Sequence, residues 1–137
     1  MSMRARRRHH DEVGATSLVQ TVIVAPVLLL MLMFIVQFAL VAHAQSVAKA
    51  AAQQGASVAG RYDGTTSSAK AETIRYLDSL GPRMLTSRNI SVSRSPTDAT
   101  VIVTGRVISL VPGIHPRLNA TATVARERYV HPIEEAN

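Results

Sequence analysis

The sequence of 137 residues contains no cysteine and no tryptophan, and only two phenylalanines and three tyrosines. Without cysteine, the chain has neither a disulfide framework nor a thiolate metal site. The five histidines have no acidic residues at ligand spacing, and the sequence shows no phosphate-binding glycine loop and no nucleophile elbow. We therefore predict a protein that is not an enzyme, with no metal, no cofactor and no evident small-molecule substrate.

The chain has a net charge of +6, but the distribution of its positive charges is not typical of a nucleic-acid-binding surface. Four arginines cluster at the N-terminus. From Arg61 onward, ten Lys and Arg residues are interspersed with seven Asp and Glu residues, without a basic run or interleaved aromatic residues. This distribution is typical of a solvated surface, so we expect no nucleic-acid partner.

A long apolar segment follows the N-terminal arginines. The 25 residues from Leu18 to Ala42 carry no charge, and the polar side chains among them are Gln20, Thr21 and Gln37. A bilayer core requires about 20 apolar residues in helical conformation. The rest of so short a chain cannot surround a helix that is apolar on all sides. The segment therefore predicts a transmembrane span at about residues 18–42, with membrane lipid as a partner.

Charges flanking the span predict its orientation. The cations before the span are Arg4, Arg6, Arg7 and Arg8, whereas the first cation after it is Lys49. Because basic flanks remain in the cytoplasm, we expect a single-pass protein of the cytoplasmic membrane. Residues 1–13 would form a basic cytoplasmic N-terminus, and the C-terminal part would lie outside the membrane.

A secretory signal is the alternative to a retained anchor. Ala42-His43-Ala44 matches the small-residue pattern of a cleavage site, and cleavage after Ala44 would release a small secreted binding domain. The apolar run is longer than the roughly 7–15 residues of a signal peptide, and the sequence after it continues a helical pattern. A retained anchor is therefore the favoured interpretation.

The helix is predicted to continue beyond the membrane, over residues 14–60 in total, because nothing after the span stops it before Gly60. Small residues recur along its outer half at steps of three and four: Ala44, Ala48, Ala51, Gly55 and Ala59. This small-residue stripe has two interpretations. It seats the following domain against the helix, or it lets neighbouring copies pack closely.

The remaining residues, 61–137, predict a small extracytoplasmic α+β domain. Ser67 or Ser68 caps a helix that Gly81-Pro82 ends. Its apolar face is predicted to contain Ala71, Ile74, Tyr76, Leu77 and Leu80. Three segments predict strands: Asn89–Ser95 and Leu118–Val130, which alternate, and Ala99–Val111, which is rich in β-branched residues. The order predicts a short helix on a three-stranded antiparallel sheet, which leans on the long helix because its own core is thin.

Gln20 and Gln37 lie near the two ends of the predicted span. The favoured interpretation is that both side chains reach the membrane–water interface, because polar residues cost less near helix ends than at the centre. The alternative is that they hydrogen-bond to another transmembrane helix.

The stretch from Gly14-Ala15-Thr16 through Gln20 and Pro26 to Ala44 resembles the TadE-like family, small pilin-like membrane proteins of tight-adherence (Flp-type) pili and related secretion machinery. Gln20 precedes Pro26 by six residues, as the polar residue of the family does, and Gln37-Phe38 stands where the family often has Glu-Phe. The resemblance covers about residues 12–60. It implies a non-enzymatic pilin-like component whose partners are other pilin-like or pilus-assembly membrane proteins, or further copies of itself.

The sequence departs from the family at one position that bears on function. Val19 stands five residues after Gly14, where family members usually carry glutamate. If the resemblance holds, Gly14 is the candidate processing site and Ala15 the new N-terminus. Neutral Gln20 cannot form the ion pair with a neighbouring amine that the glutamate is thought to form. The resemblance therefore implies a minor or assembly component rather than a major pilin.

Overall fold

A computed structural model describes residues 9–128, with side chains described from Leu18 onward. The elements in chain order are α1 (His9–Gly60), α2 (Thr66–Leu80), β1 (Leu85–Arg94), β2 (Asp98–Val107) and β3 (Arg117–Ala125). The three strands form one antiparallel sheet in the order β1-β2-β3. The predicted α+β class, a long helix followed by a short helix and a three-stranded antiparallel sheet, is confirmed.

The long helix α1 is 52 residues, which corresponds to a length of about 78 Å. It already includes His9, five residues before the predicted start at Gly14. Pro26 lies within the helix without ending it. The helix ends at Gly60, at the predicted end of the Ala-rich extension.

The N-terminus of α2 is capped by Thr65, and the prediction of Ser67 or Ser68 as the cap was wrong. Thr65 Oγ1 accepts a hydrogen bond of 3.0 Å from Ser68 N, and Ser68 Oγ accepts one of 3.0 Å from Thr65 N. This reciprocal pair is a capping box in which serine takes the place that glutamate or glutamine usually has. Gly81 ends the helix as predicted, and its N–H donates to Leu77 O at 3.0 Å.

The buried face of α2 agrees with the predicted one at Leu77, and Tyr76 packs against the core, but the other predicted residues are not buried. Ala69, Thr73 and Leu77 are buried, at steps of four residues. In contrast, Ala71, Ile74 and Leu80 are exposed and Tyr76 is half-buried. The long helix presents small residues to α2, so the two backbones come close together. This close approach favours Ala69 and Thr73 at the contact over larger apolar residues.

The strands also have different limits from those predicted. β1 begins at Leu85, four residues before Asn89, and contains a bulge between Thr86 and Asn89 where Ser87 has a φ of 53°. β2 ends at Val107 rather than Val111, and β3 ends at Ala125 rather than Val130. The loop from residue 108 to residue 116 joins β2 to β3.

We use the term head for residues 61–128, which contain α2 and the sheet. The main core lies between one face of the sheet, α2 and the outer half of α1. Val101 and Val103 of the central strand are fully buried in it, together with Leu77 of α2. The long helix contributes alanines: Ala44, Ala48, Ala51, Ala52 and Ala56. The head therefore completes its core with part of α1.

Candidate functional site: the apolar helix and its junction with the head

The first part of α1 projects from the rest of the described chain. All residues from Leu18 to Val36 are exposed except Met33, which is half-buried; Leu28 is 58% and Phe34 52% exposed. We call residues 18–36 the free segment. Its 19 residues correspond to about 28 Å of helix, close to the thickness of a bilayer hydrocarbon core of about 30 Å. In the part of the chain that the structure describes, α1 is the one helix long and apolar enough to cross a membrane.

Gln37 follows the free segment directly and joins α1 to the head. Its side chain is 4% exposed. Its Oε1 accepts a hydrogen bond of 2.7 Å from Leu110 N, and its Nε2 donates to Ile108 O at 3.2 Å. The side-chain amide thus satisfies two backbone groups of the loop that follows β2.

This geometry adds a contact that neither predicted role of Gln37 includes. The hydrogen-bond partners of its side chain belong to the head of the same chain. The two predicted roles, at the membrane–water interface or against another transmembrane helix, stay predictions. The partners lie 71 and 73 residues away in the sequence, so no local pattern indicates them. Sequence reasoning missed the loop as a contact of α1, because residues 108–111 were assigned to the end of a strand. The Pro112-Gly113 pair was the one local signal of a turn there.

Gln20 lies near the start of the free segment, and its side chain is exposed. It lines an open surface depression of α1 together with Thr21, Val24 and Leu28. The head does not cover this part of the helix, so Gln20 and Gln37 do not form one site. Both predicted roles of Gln20, at an interface or against another helix, stay predictions.

The small-residue stripe lies beneath the head. Ala44, Ala48, Ala51 and Ala59 are all 0% exposed, and Gly55 is buried as well. A Cβ atom at Gly55 would overlap the hydroxyl of Thr73 and lie 3.2 Å from Ala69 O. The stripe therefore seats the chain's own α2 and sheet. A neighbouring copy would have to displace the head to reach it.

The sheet has a defined direction relative to α1. Gln45 Nε2 donates to Asn119 O at 2.9 Å near the beginning of β3, and Glu127 N donates to Gly60 O at 2.9 Å just beyond its end. β3 therefore runs along α1 away from the free segment. The end of the sheet that carries Leu85, Val107 and Arg117 is the end nearer the free segment.

The clearest electrostatic contact of the head lies on α2. Arg75 donates to both carboxylate oxygens of Glu72, at 2.7 Å and 3.0 Å, and Gln54 of α1 donates to the same carboxylate at 3.5 Å. The hydrogen bonds from Arg75 lower the pKa of Glu72, and the carboxylate raises the pKa of Arg75. Within residues 18–128, no three His, Asp or Glu side chains group in a way that could hold a metal ion.

Two of the predicted sets of residues lie at or beyond the limit of the description. Gly14 and Ala15 belong to the helical backbone of α1, and the Ala15 side chain lies outside the described part of the chain. The predicted topology determinants, Arg4, Arg6, Arg7 and Arg8, lie outside the described residues.

Residues 15–57 match the protein family described as TadE-like protein. The match covers 43 of the 137 residues, namely the free segment and most of the outer half of α1, and it confirms the resemblance seen in the sequence. It stops before the head. No curated protein and no solved structure matches the chain.

Proposed function

We propose that this chain is a non-enzymatic, single-pass membrane component of a bacterial tight-adherence pilus or a related secretion apparatus, in a minor or assembly role. The observation that carries the proposal is the free segment, which is uncharged and almost entirely apolar, is exposed except at the half-buried Met33, and has the length of a bilayer core. The match to the TadE-like family over residues 15–57 supports the link to pilus machinery.

The structure supports a shorter span than the sequence alone. We place the membrane span at residues 18–36, because the head already covers part of α1 from Gln37 onward. Residues 1–13 would be the basic cytoplasmic segment. The outer half of α1, to residue 60, and the domain of residues 61–137 would lie outside, since the four N-terminal arginines favour a cytoplasmic N-terminus.

Release of a secreted domain after Ala44 remains the competing function. Two observations count against it. Ala44 lies inside a continuous helix and is 0% exposed. Cleavage there would also remove Gln37, whose side-chain amide forms hydrogen bonds with the head. A released fragment would lose that pair of hydrogen bonds and the half-buried Val41 that packs against the core.

Intact mass of the mature protein from its native cell distinguishes these functions. A full-length chain, or a chain beginning at Ala15 after processing behind Gly14, would agree with a membrane component. Extraction of the membranes with alkaline carbonate should leave either form in the membrane pellet. A soluble product that begins at Gln45 would overturn the proposal in favour of a secreted domain.

Partner contacts are expected along the free segment, because the small-residue stripe is already covered. A photo-crosslinking residue at Val24 or Leu28, both exposed on α1, should give adducts with other pilus-assembly membrane proteins or with a second copy. The matched control carries the same residue at Thr121, exposed on the sheet. Adducts at Thr121 but none along the free segment would contradict this arrangement.

A further inference from the structure

The loop of residues 108–116, which we call the tip loop, presents apolar side chains at the end of the head nearer the free segment. Ile108, Leu110 and Ile114 are 42%, 47% and 37% exposed. They are three of the six exposed large apolar side chains within the head. Half of these side chains thus lie within nine residues, and their removal from water would be favourable.

Hydrogen bonds hold the tip loop in a defined shape. Val107 N donates to Pro116 O at 2.9 Å, which closes the base of the loop. Ile114 N donates to Val111 O at 3.3 Å across Pro112 and Gly113, and Gly113 has a φ of 84°. Proline followed by a glycine of positive φ is typical of a type II turn. The apolar side chains are therefore carried on a hydrogen-bonded loop whose turn has Pro112 and Gly113 at its centre.

Gln37 fixes the level of the tip loop along α1. Its two hydrogen bonds reach Ile108 O and Leu110 N, so the loop backbone lies beside the helical turn that directly follows the free segment. The free segment by itself accounts for the thickness of a hydrocarbon core. The tip loop therefore lies where that hydrocarbon would meet the lipid headgroups.

Two arginines lie slightly farther from the free segment, on the opposite face of the sheet from the core. Arg106 of β2 and Arg117 of β3 are directly paired in the sheet register, and both are exposed. Neither forms an ion pair with any residue that the structure describes. Together with Ser87 they line an open cavity of about 450 Å³. Because like charges directly opposite each other in a sheet are unfavourable, an anion between them would be stabilising.

The position of this arginine pair along the axis of α1 agrees with the expected depth of the lipid headgroup phosphates. Asn119 accepts a hydrogen bond from the side chain of Gln45. Arg117 lies two residues before Asn119, which is about 7 Å along the strand. Along the axis of α1, this places Arg117 at about the level of Val41, roughly 5 Å beyond the level of Gln37. Headgroup phosphates lie just outside the hydrocarbon, at this kind of distance.

We propose that the tip loop inserts into the headgroup–acyl boundary of the outer leaflet and that Arg106 and Arg117 bind the phosphates of anionic lipids. The head then lies against the bilayer surface instead of standing clear of it. This inference rests on the proposed function, because it requires residues 18–36 to span the membrane. The partner surface is a lipid bilayer, which continues from the free segment onto the tip loop.

The natural absence of cysteine allows single fluorescent labels to test the insertion. Pro112→Cys places an environment-sensitive probe at the tip, and Pro96→Cys places it in the turn between β1 and β2 at the far end of the sheet; both prolines are exposed. Leu28→Cys places it within the free segment. Each full-length variant is reconstituted in phosphatidylglycerol–phosphatidylcholine vesicles that contain a lipid with a quencher near the top of the acyl chain.

The tip probe should lose about half of its emission or more to the lipid quencher, because an interfacial segment buries its apolar side chains about 5–10 Å into the headgroup–acyl boundary. The Pro96→Cys probe should be quenched by iodide in water instead. A tip probe that iodide quenches as strongly as the Pro96→Cys probe overturns the inference. A tip probe that neither quencher reaches also overturns the inference, because a second copy of the protein would then cover the tip loop. If the lipid quencher does not quench the Leu28→Cys probe, the membrane span itself is refuted, and the inference with it.

The arginines are tested by comparing lipids of different charge. In vesicles with phosphatidylglycerol, quenching of the tip probe should be about twofold stronger than in phosphatidylcholine alone, since basic residues near the surface attract anionic lipid. The double substitution Arg106→Gln and Arg117→Gln should abolish that difference. The same change at Arg61 and Arg128, exposed at the far end, should preserve it. Equal quenching of the unsubstituted protein in both lipids overturns the role of the arginine pair.

Discussion

Gly55 of α1 lies directly against Thr73 of α2, so closely that a Cβ atom on the glycine would overlap the threonine hydroxyl. That hydroxyl donates a hydrogen bond of 2.8 Å to Ala69 O within its own helix, which leaves its polar atom satisfied at 0% exposure. The contact holds the two helices together through small side chains. A glycine that seemed suited to contact between neighbouring copies is therefore used within the chain.

Gly55→Leu should separate α2 from α1 and destabilise the head. Inserting a large side chain into a packed contact costs typically about 1–3 kcal/mol, and here the obstacle is helix backbone as well as a side chain. The measurement is hydrogen exchange of the α2 amides in the full chain in detergent micelles, which should become faster. Insertion of the free segment into membranes should be unchanged.

The matched control is Gln53→Leu, which adds a leucine on the exposed side of the same helix turn. It should leave exchange in α2 close to that of the unsubstituted protein, since exposed substitutions usually change stability within about 0.5 kcal/mol. Equal exchange in the two variants would show that Gly55 does not form the contact described.

Thr65→Ala should destabilise the first turn of α2. The substitution removes the oxygen that accepts from Ser68 N, and loss of such a cap costs about 1 kcal/mol. Chemical denaturation of the full chain in micelles, followed by helical circular dichroism, measures the change. Ser67→Ala, one of the two caps predicted from the sequence, lies on the exposed side and should change the midpoint little. A larger effect at Ser67 than at Thr65 would restore the predicted cap.

The parts of the fold predicted correctly from the sequence depend on local patterns. The uncharged run and the alanines after it indicated one long helix, and Gly81-Pro82 indicated where α2 ends. The β-branched residues around Val101 and Val103 indicated the central strand. Each of these signals lies within a few neighbouring residues, so the chain's own local preferences decide the result.

The parts that were missed depend on contacts between distant residues. The buried face of α2 is selected by the small residues of α1, which favour Thr73 over Ile74 at the contact. The Gln37 side chain forms hydrogen bonds to the backbone of Ile108 and Leu110, just after β2 ends at Val107. The end of the strand and the role of Gln37 are therefore linked. No periodicity in either segment indicates the other.

Glu72→Gln should remove a contribution to stability that depends on pH. The hydrogen bonds from Arg75 hold the pKa of Glu72 below its ordinary value of 4.5, so the ionised carboxylate stabilises the folded chain above that pH. The contribution is lost as pH falls through the lowered pKa of the folded state. Denaturation midpoints at neutral pH should therefore be lower for the variant, and the two proteins should converge once the pH has fallen below the lowered pKa.

The effect is expected to be small, since the Arg75 side chain is 78% exposed and its charge is screened by water. Asp63→Asn is the matched control, because Asp63 is exposed and forms no ion pair with the described residues. A difference between Glu72→Gln and the unsubstituted protein that grows toward acid pH would contradict the direction of the shift.

Gln37→Leu should release the tip loop from α1. Leucine has nearly the volume of glutamine but cannot bond Leu110 N or Ile108 O, so both backbone groups would be left without their partner at a cost of about 1–3 kcal/mol. Hydrogen exchange of the Leu110 amide in the full chain should become faster, by about tenfold for each 1.4 kcal/mol lost. Gln20→Leu is the matched control, because it removes the same amide from the exposed start of the free segment. Should the Leu110 amide exchange equally fast in both variants, the bond from Gln37 would not be what holds the loop beside the helix.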